Sequence, residues 1–143
     1  MIYVRPFKKE DFLTFVPIEP LPEPEVYDEK LTQVIEDSGL AITGIRDGKV
    51  IGCGGVHPET NEGHGEMWLR LSETCLEHKL DTLRWIKDGL KVIEETFPFE
   101  QLNAVVRCCF KESVKLLEYL GFSRTQEIFE NNVKWFIYSK RIK

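Results

Sequence analysis

The stretch NAVVRCCFKESVKLLEYLGFSRT, residues 103–125, decides the fold. It begins within a nearly continuous apolar run, Leu102–Cys108, and a helical pattern follows that run. Such a run is typical of a strand that is covered on both faces of a sheet. Three apolar residues then recur at helical spacing, and Gly121 stands where a left-handed residue ends a helix. These three are Val114, Leu117 and Leu120. The stretch therefore predicts a strand, a helix and a return to the sheet.

A long helix precedes this stretch, over Leu80–Phe97, and Pro98 closes it. Its apolar stripe consists of Leu83, Ile86, Leu90, Ile93 and Phe97. A strand over Glu66–Leu71 comes before the helix. A strand, a helix and a second strand in this order predict a parallel crossover.

The N-terminal half is predicted to contain a β-hairpin and two short helices. The strands Leu40–Arg46 and Lys49–Val56 flank Asp47-Gly48, a strong signal for a type I′ turn. Strand Ile2–Arg5 and helix Lys8–Val16 come first. After a proline-rich loop, Pro17–Glu25, Asp28 is expected to cap a helix that reaches Asp37 and ends before Gly39. Its inward residues are expected to be Leu31, Val34 and Ile35.

A second hairpin, Ser123–Glu130 with Val133–Ile142 around Asn131-Asn132, closes the chain. The pattern as a whole predicts one α/β domain over residues 1–143. Its sheet is expected to be mixed and mostly antiparallel, with about seven strands flanked by about four helices.

Charge and composition exclude several classes of function. The 143 residues carry a net charge of -5, so general binding to nucleic acid or to an anionic membrane is not expected. No apolar run approaches the roughly 20 residues of a membrane span, and no signal peptide is evident, which indicates a cytoplasmic protein. The three histidines and four cysteines lack metal-ligand spacing, so no metal is expected.

Three segments resemble the GCN5-related N-acetyltransferase (GNAT) superfamily, and the likeness covers nearly the whole chain. They are IYVRPFKKEDF, LAITGIRDGKVIGCGGVHPE and NAVVRCCFKESVKLLEYLGFSRT. The last is the most specific, because its Leu-Gly-Phe follows such a strand and helix in the family's register. The resemblance implies acetyl-coenzyme A (acetyl-CoA) as cofactor and a primary amine, on a small molecule or a protein, as acceptor.

In the family, the fourth and fifth strands part, and the pantetheine arm pairs with main-chain groups of the fourth strand. The resemblance assigns these groups to Trp68–Leu71, with Leu69 and Leu71 as the pairing residues. The start of the next helix holds the pyrophosphate by its free N–H groups and positive end. His78 and Lys79 are the residues expected there.

The chain departs from the family pattern in two places. The family's loop before the long helix is rich in glycine, whereas SETCLEHKLDT, residues 72–82, contains none. Alignment on Gly121 also puts Phe110 and Leu117 where many members carry an asparagine and a catalytic tyrosine. Tyr119 is expected to face elsewhere. Small GNAT-like proteins of tailed bacteriophages resemble this degenerate pattern.

Acetyl transfer to an amine needs a base, and the resemblance points to Glu66 at the start of the fourth strand. His57, at the end of the third, is a second candidate. Two functions stay open: an N-acetyltransferase, or an inactive phage-encoded GNAT-fold protein that binds virion or host proteins. The protein could also form a homodimer.

Overall fold

The computed structural model describes residues 2–15, 29–60, 62–108 and 110–142. Its strands are β1 (Tyr3–Pro6), β2 (Ala41–Arg46), β3 (Lys49–Pro58), β4 (His64–Leu71), β5 (Gln101–Arg107), β6 (Ser123–Glu130) and β7 (Val133–Arg141). Its α-helices are α1 (Glu29–Ser38), α2 (Glu73–Glu77), α3 (Lys79–Thr96) and α4 (Lys111–Tyr119), and a 3-10 helix covers Lys9–Leu13. Residues 16–28, which include the predicted proline-rich loop and Asp28, lie outside the described residues.

The described strands form one sheet in the order β1-β2-β3-β4-β5-β7-β6. β4 and β5 are parallel, whereas β1 with β2, β2 with β3, β5 with β7 and β6 with β7 are antiparallel. The predicted mixed α/β sheet of seven strands and four α-helices is therefore confirmed, as is the parallel relation across the long helix.

The chain forms two compact units. The first consists of Met1–His57 and Trp68–Ile93, and the second of Pro58–Met67 and Glu94–Lys143.

In the first unit, the turn residues adopt the backbone that the sequence predicts. Asp47 and Gly48 have φ values of 51° and 76°, as a type I′ turn requires. Gly39, with φ 71°, follows the end of α1.

The prediction for the inward face of α1 is wrong in part. Ile35 is buried, but Leu31 and Val34 are exposed, and the other buried residue is Thr32. The physical reason is a tertiary contact: Glu36 of α1 accepts a hydrogen bond from the Lys9 N–H at 2.9 Å. This bond turns the Thr32 and Ile35 face toward the 3-10 helix.

The predicted helix Lys8–Val16 is a shorter 3-10 helix. Its bonds run from Asp11 N to Lys8 O at 2.9 Å and from Thr14 N to Asp11 O at 3.3 Å, which is the i to i+3 pattern. The ring of Phe12 in this helix packs at 5.3 Å from Phe7 and at 5.4 Å from Trp68. The short helix thereby places aromatic rings against the core of the first unit.

The long helix α3 buries Ile86, Leu90 and Ile93 as predicted. Trp85 is buried too, and Gly44 of β2 makes room for its indole. The prediction for Phe97 is wrong, because α3 ends at Thr96 and the Phe97 side chain is 38% exposed.

The second unit has the predicted closing hairpin and helix cap. Asn131 and Asn132 have φ values of 54° and 63°, and Gly121 has φ 95°. Leu117 of α4 and Leu120, which directly follows the helix, are buried, as the helical pattern predicts. The largest fully buried side chain here is Tyr138 of β7.

Candidate functional site

The ladder between β4 and β5 is short. Within the described residues it consists of three pairs, His64 with Gln101, Gly65 with Leu102 and Glu66 with Asn103. β4 itself continues to Leu71. The main-chain groups of β4 after Glu66 therefore lie beyond this ladder.

The direction of those main-chain groups follows from two glycines of β3. A Cβ built on Gly54 would lie 2.9 Å from the Trp68 carbonyl oxygen, and one on Gly52 would lie 2.9 Å from that of Arg70. The carbonyls of Trp68 and Arg70 thus face β3. Because main-chain direction alternates along a strand, the N–H and C=O groups of Leu69 and Leu71 point away from β3. These are the two residues that the sequence assigns to pantetheine.

Arg70 adds a contact that the sequence analysis missed. Its Nη1 donates to the Leu69 carbonyl at 2.9 Å, and its Nε is buried without a partner among the described residues. Arg70 therefore occupies one of the acceptors that a pantetheine arm would use. The N–H of Leu69 and both main-chain groups of Leu71 are not involved in this bond.

The segment between β4 and α3 differs from the predicted loop, because it contains the helix α2. Ser72 donates to the Ile51 carbonyl from its N–H at 2.9 Å and from its hydroxyl at 2.7 Å. The Cys75 thiol donates to the same carbonyl at 3.3 Å, and the Thr82 hydroxyl donates to the Cys75 carbonyl at 3.2 Å. The polar groups of this segment thus stabilise its own fold.

The two residues expected at the pyrophosphate lie at the start of α3. His78 is half-buried between α2 and α3, and Lys79 is exposed at the first position of α3. The same turn carries Asp81, whose carboxylate lies 4.0 Å from Arg46 and 3.9 Å from Arg84. An anion at this helix start would therefore meet the Asp81 carboxylate and its two arginine partners as well as the Lys79 ammonium.

The candidate bases lie on different units. Glu66 is exposed on β4 and stands opposite Asn103 in the last pair of the ladder. His57 is half-buried near the end of β3. β4 begins two residues earlier than predicted, at His64, so Glu66 is its third residue, and β3 extends to Pro58. The roles of both residues stay predictions.

At the position where many family members carry the catalytic tyrosine, α4 carries Leu117, which has no hydroxyl. Leu117 is 5% exposed and belongs to the core, whereas Tyr119 is 56% exposed. Phe110 precedes α4 without a side-chain capping bond, and the Arg107 guanidinium lies 5.7 Å from its ring centre. Neither aligned position therefore offers a proton donor to a leaving thiolate.

The described cysteines are expected to differ sharply in reactivity. Burial raises the pKa of the Cys53 thiol to about 12 and also raises the pKa of Cys75. Cys108 is only half-buried. Since the thiolate is the nucleophile, native protein treated with iodoacetamide should be alkylated at Cys108 well before Cys53 or Cys75. Peptide mass mapping after a short pulse checks the order, and early labelling of Cys75 would contradict it.

Two further properties bear on the class of the protein. No helix in the described part of the chain combines the length and apolar character needed to cross a membrane. Within residues 2–15, 29–60, 62–108 and 110–142, no group of three His, Cys, Asp or Glu side chains is placed to hold a metal ion.

No family model matches the chain, and neither does any curated protein. Solved structures do match. A ribosomal-protein-alanine N-acetyltransferase from Brucella melitensis is 14% identical, with a TM-score of 0.78 over 97% of this chain and 99% of that chain. The Vibrio fischeri ribosomal-protein-S5-alanine acetyltransferase is 18% identical, with a TM-score of 0.75 over 98% of this chain and 92% of that chain.

A third match is a chain of the NatC complex, in a crystal structure with Gag peptide and CoA. It is 15% identical, with a TM-score of 0.78 over 98% of each chain. At these identities the likeness shows a shared backbone fold. It covers nearly the full length of this chain and of each matched chain. The chain therefore has the fold of the GNAT acetyltransferases.

Proposed function

We propose that the protein transfers an acetyl group from acetyl-CoA to a primary amine by direct attack of the amine on the thioester. The observation that carries this proposal is the course of β4. Its ladder with β5 ends at Glu66, and the main-chain groups of Leu69 and Leu71 point away from β3. In this arrangement they could pair with the amides of a pantetheine arm.

The residues fit the two parts of the cofactor unequally. Main-chain groups of Leu69 and Leu71 suit the pantetheine arm, although Arg70 occupies the Leu69 carbonyl. The pyrophosphate would rely on the start of α3 and on the side chains of His78 and Lys79, since no glycine-rich cradle is present. We therefore expect weaker binding of the pyrophosphate than a glycine-rich loop would give.

Glu66 is the proposed base that takes a proton from the acceptor ammonium, directly or through water, and His57 is the second candidate. Loss of that proton frees the nitrogen lone pair for attack on the thioester carbon. The new N–C bond forms as the C–S bond breaks, and CoA leaves as a thiolate that takes up a proton from water. Glu66 suits the task because its side chain is exposed at the end of the ladder.

For the acceptor, we favour the amine of a peptide or protein. Three structural matches support this choice: two are named as acetyltransferases of ribosomal-protein alanine, and one is a chain of a complex that is bound to a peptide. A cytoplasmic location also belongs to the proposal, and it is supported by Cys53, Cys75 and Cys108, which are free thiols. Homodimerisation and a phage origin stay predictions from the sequence.

The proposal is tested by release of free CoA from acetyl-CoA, followed with a thiol reagent in the presence of short peptides with free N-termini. Transfer should depend on the peptide and should leave an acetylated product in the mass spectrum. A Glu66→Gln variant should lose most of the rate, because a general base typically contributes a factor of about 10²–10⁴. Absence of any acetylated product with a broad peptide set would contradict the proposal.

Lys79 provides a separate test of the pyrophosphate position. We expect Lys79→Ala to weaken binding of acetyl-CoA roughly fivefold, because a charge at a helix start contributes about 1 kcal/mol to anion binding. Calorimetric titration measures the affinity. Lys91→Ala, an exposed lysine further along α3, is the matched control and should bind as the wild type does. Equal affinities of the two variants for acetyl-CoA would show that Lys79 does not contribute to binding of the pyrophosphate.

One observation favours a second function, a GNAT-fold protein without transfer activity. The segment before α3 contains the helix α2. The side chains of Ser72, Cys75 and Thr82 there donate hydrogen bonds to main-chain carbonyls of the protein itself. Such a protein would bind another protein through its surface. The titration separates the two functions, since only the acetyltransferase should bind acetyl-CoA.

A further inference from the structure

Asn103 of β5 stands at the centre of a polar cluster in the second unit. Its Nδ2 donates to Glu59 Oε2 at 2.6 Å and lies 3.4 Å from His64 Nδ1. Its Oδ1 accepts from Gln101 Nε2 at 2.8 Å and from Ser139 Oγ at 2.7 Å. All the hydrogen-bonding groups of the Asn103 amide are therefore engaged.

These bonds fix the orientation of the amide. An ionised carboxylate only accepts hydrogen bonds, so the NH₂ end of Asn103 must face Glu59. Its second hydrogen then points at His64. The opposite orientation would set the Asn103 oxygen against the Glu59 carboxylate at 2.6 Å.

The orientation of Asn103 in turn selects the tautomer of His64. Nδ1 faces an N–H donor and must supply a lone pair, so the proton of the neutral ring lies on Nε2. Of the two neutral tautomers, the cluster therefore selects the one whose Nε2 carries the proton and can donate a hydrogen bond.

The His64 ring is placed for contact with a ligand. It is half-buried, and no residue of the described chain accepts a bond from its Nε2. His64 and Glu66 lie two residues apart on β4, so their side chains share a face of the sheet. Both belong to the three-pair ladder that ends at Glu66. The donor thus lies on the same face as the proposed base.

We propose that His64 donates from Nε2 to a carbonyl oxygen of the acyl acceptor. The favoured acceptors are then primary amines that carry a carbonyl next to the amine-bearing carbon, as peptide N-termini and amino-acid amides do. His64 determines specificity, and Asn103 and Glu59 are positioning residues that set its tautomer. The assignment rests on the proposed acetyltransferase function.

The tautomer is tested without any substrate. In ¹⁵N-labelled protein at about pH 8, where ordinary imidazoles are neutral, two-bond ¹H–¹⁵N correlations distinguish the two ring nitrogens. We expect the proton of His64 on Nε2. In Asn103→Asp a carboxylate oxygen replaces the NH₂ donor and should accept a hydrogen bond from the ring, so the ring proton should move to Nδ1. An Nδ1–H tautomer in the wild type would overturn the inference.

The role in specificity is tested with a matched pair of amines, alaninamide and isopropylamine, which differ in the carboxamide. The ratio of their kcat/KM values should fall about tenfold in His64→Ala, the effect of losing one good hydrogen bond. Their intrinsic difference in reactivity cancels, because the same ratio is compared between proteins. In His64→Gln, which retains a hydrogen-bond donor, the ratio should fall less than in His64→Ala. The KM for acetyl-CoA should be unchanged in both variants.

The outcomes separate the two proposals. An unchanged ratio in an active His64→Ala variant contradicts the role of His64 alone. A wild-type protein that binds acetyl-CoA weakly or not at all, and acetylates neither amine, contradicts the proposed function and the acceptor assignment together. The tautomer measurement then still decides whether Asn103 and Glu59 position the ring.

Discussion

Replacement of Asp11 by alanine is expected to lower the free energy of unfolding by about 3 kcal/mol, or roughly 10 °C in Tm. Asp11 is 3% exposed and accepts two bonds of 2.8 Å from Arg5. It also accepts a 2.6 Å bond from the buried Thr43 hydroxyl and a 2.9 Å bond from the Lys8 N–H. Alanine would leave Thr43 and Lys8 without acceptors, whereas Arg5 is partly exposed and can turn to water.

Asp81→Ala is the matched control for Asp11→Ala. The Asp81 carboxylate is 40% exposed, and its two arginine partners lie at 3.9 and 4.0 Å. Exposed ion pairs of this kind contribute less than about 1 kcal/mol. Thermal or urea unfolding measures both variants, and equal effects would contradict the importance of the Asp11 network.

The contribution of Asp11 should also depend on pH. Burial alone would raise the pKa of its carboxyl, but the bonds from Arg5, Thr43 and Lys8 outweigh burial and hold the pKa below its ordinary value of 3.8. A group with a lowered folded pKa stabilises the protein above its unfolded pKa and loses that effect as pH falls through the folded pKa. The stability difference between wild type and Asp11→Ala should therefore be constant above about pH 5 and shrink below the ordinary Asp pKa.

Gly55→Ala is expected to cost about 3 kcal/mol, because the new methyl would meet main chain rather than movable side chains. Its Cβ would overlap the Leu40 carbonyl oxygen and lie 2.7 Å from the Ala41 Cα. The same carbonyl already accepts a bond from the Val56 N–H at 3.0 Å. The start of β2 and the end of β3 would have to separate.

Gly48→Ala is the control for Gly55→Ala. An added Cβ at Gly48 has no atom within 4 Å, but φ is 76°. Its cost is therefore the conformational strain alone, about 1–2 kcal/mol. Urea unfolding measures both variants. A smaller effect at Gly55 than at Gly48 would mean that the close approach of β2 and β3 is wrong.

Local signals predicted the turns and helix ends because they depend on a few neighbouring residues. Asp47-Gly48 and Asn131-Asn132 adopt positive φ, and so do Gly39 and Gly121. The helix α2 was missed because five residues are too few for an apolar period to appear. The inward face of α1 was misassigned because a bond between Glu36 and Lys9, far apart in sequence, orients the helix.

The candidate site was predictable only in part, for the same reason. The positions of Leu69 and Leu71 follow from the strand pattern and the family resemblance. The contact of Arg70 with the Leu69 carbonyl depends on the orientation of a long side chain, which no local pattern shows. The cluster of Glu59, His64 and Asn103 joins residues about 40 positions apart, so the sequence alone gave no reason to group them.

In the proposed function, β4 binds the pantetheine arm through Leu69 and Leu71, beyond its short ladder with β5. Amide hydrogen exchange by NMR, with and without saturating acetyl-CoA, tests it directly. We expect slower exchange at the N–H groups of Leu69 and Leu71 in the complex and little change at Trp68 and Arg70, whose main-chain groups already face β3. Unchanged exchange at Leu69 and Leu71 at saturating acetyl-CoA would contradict the claim.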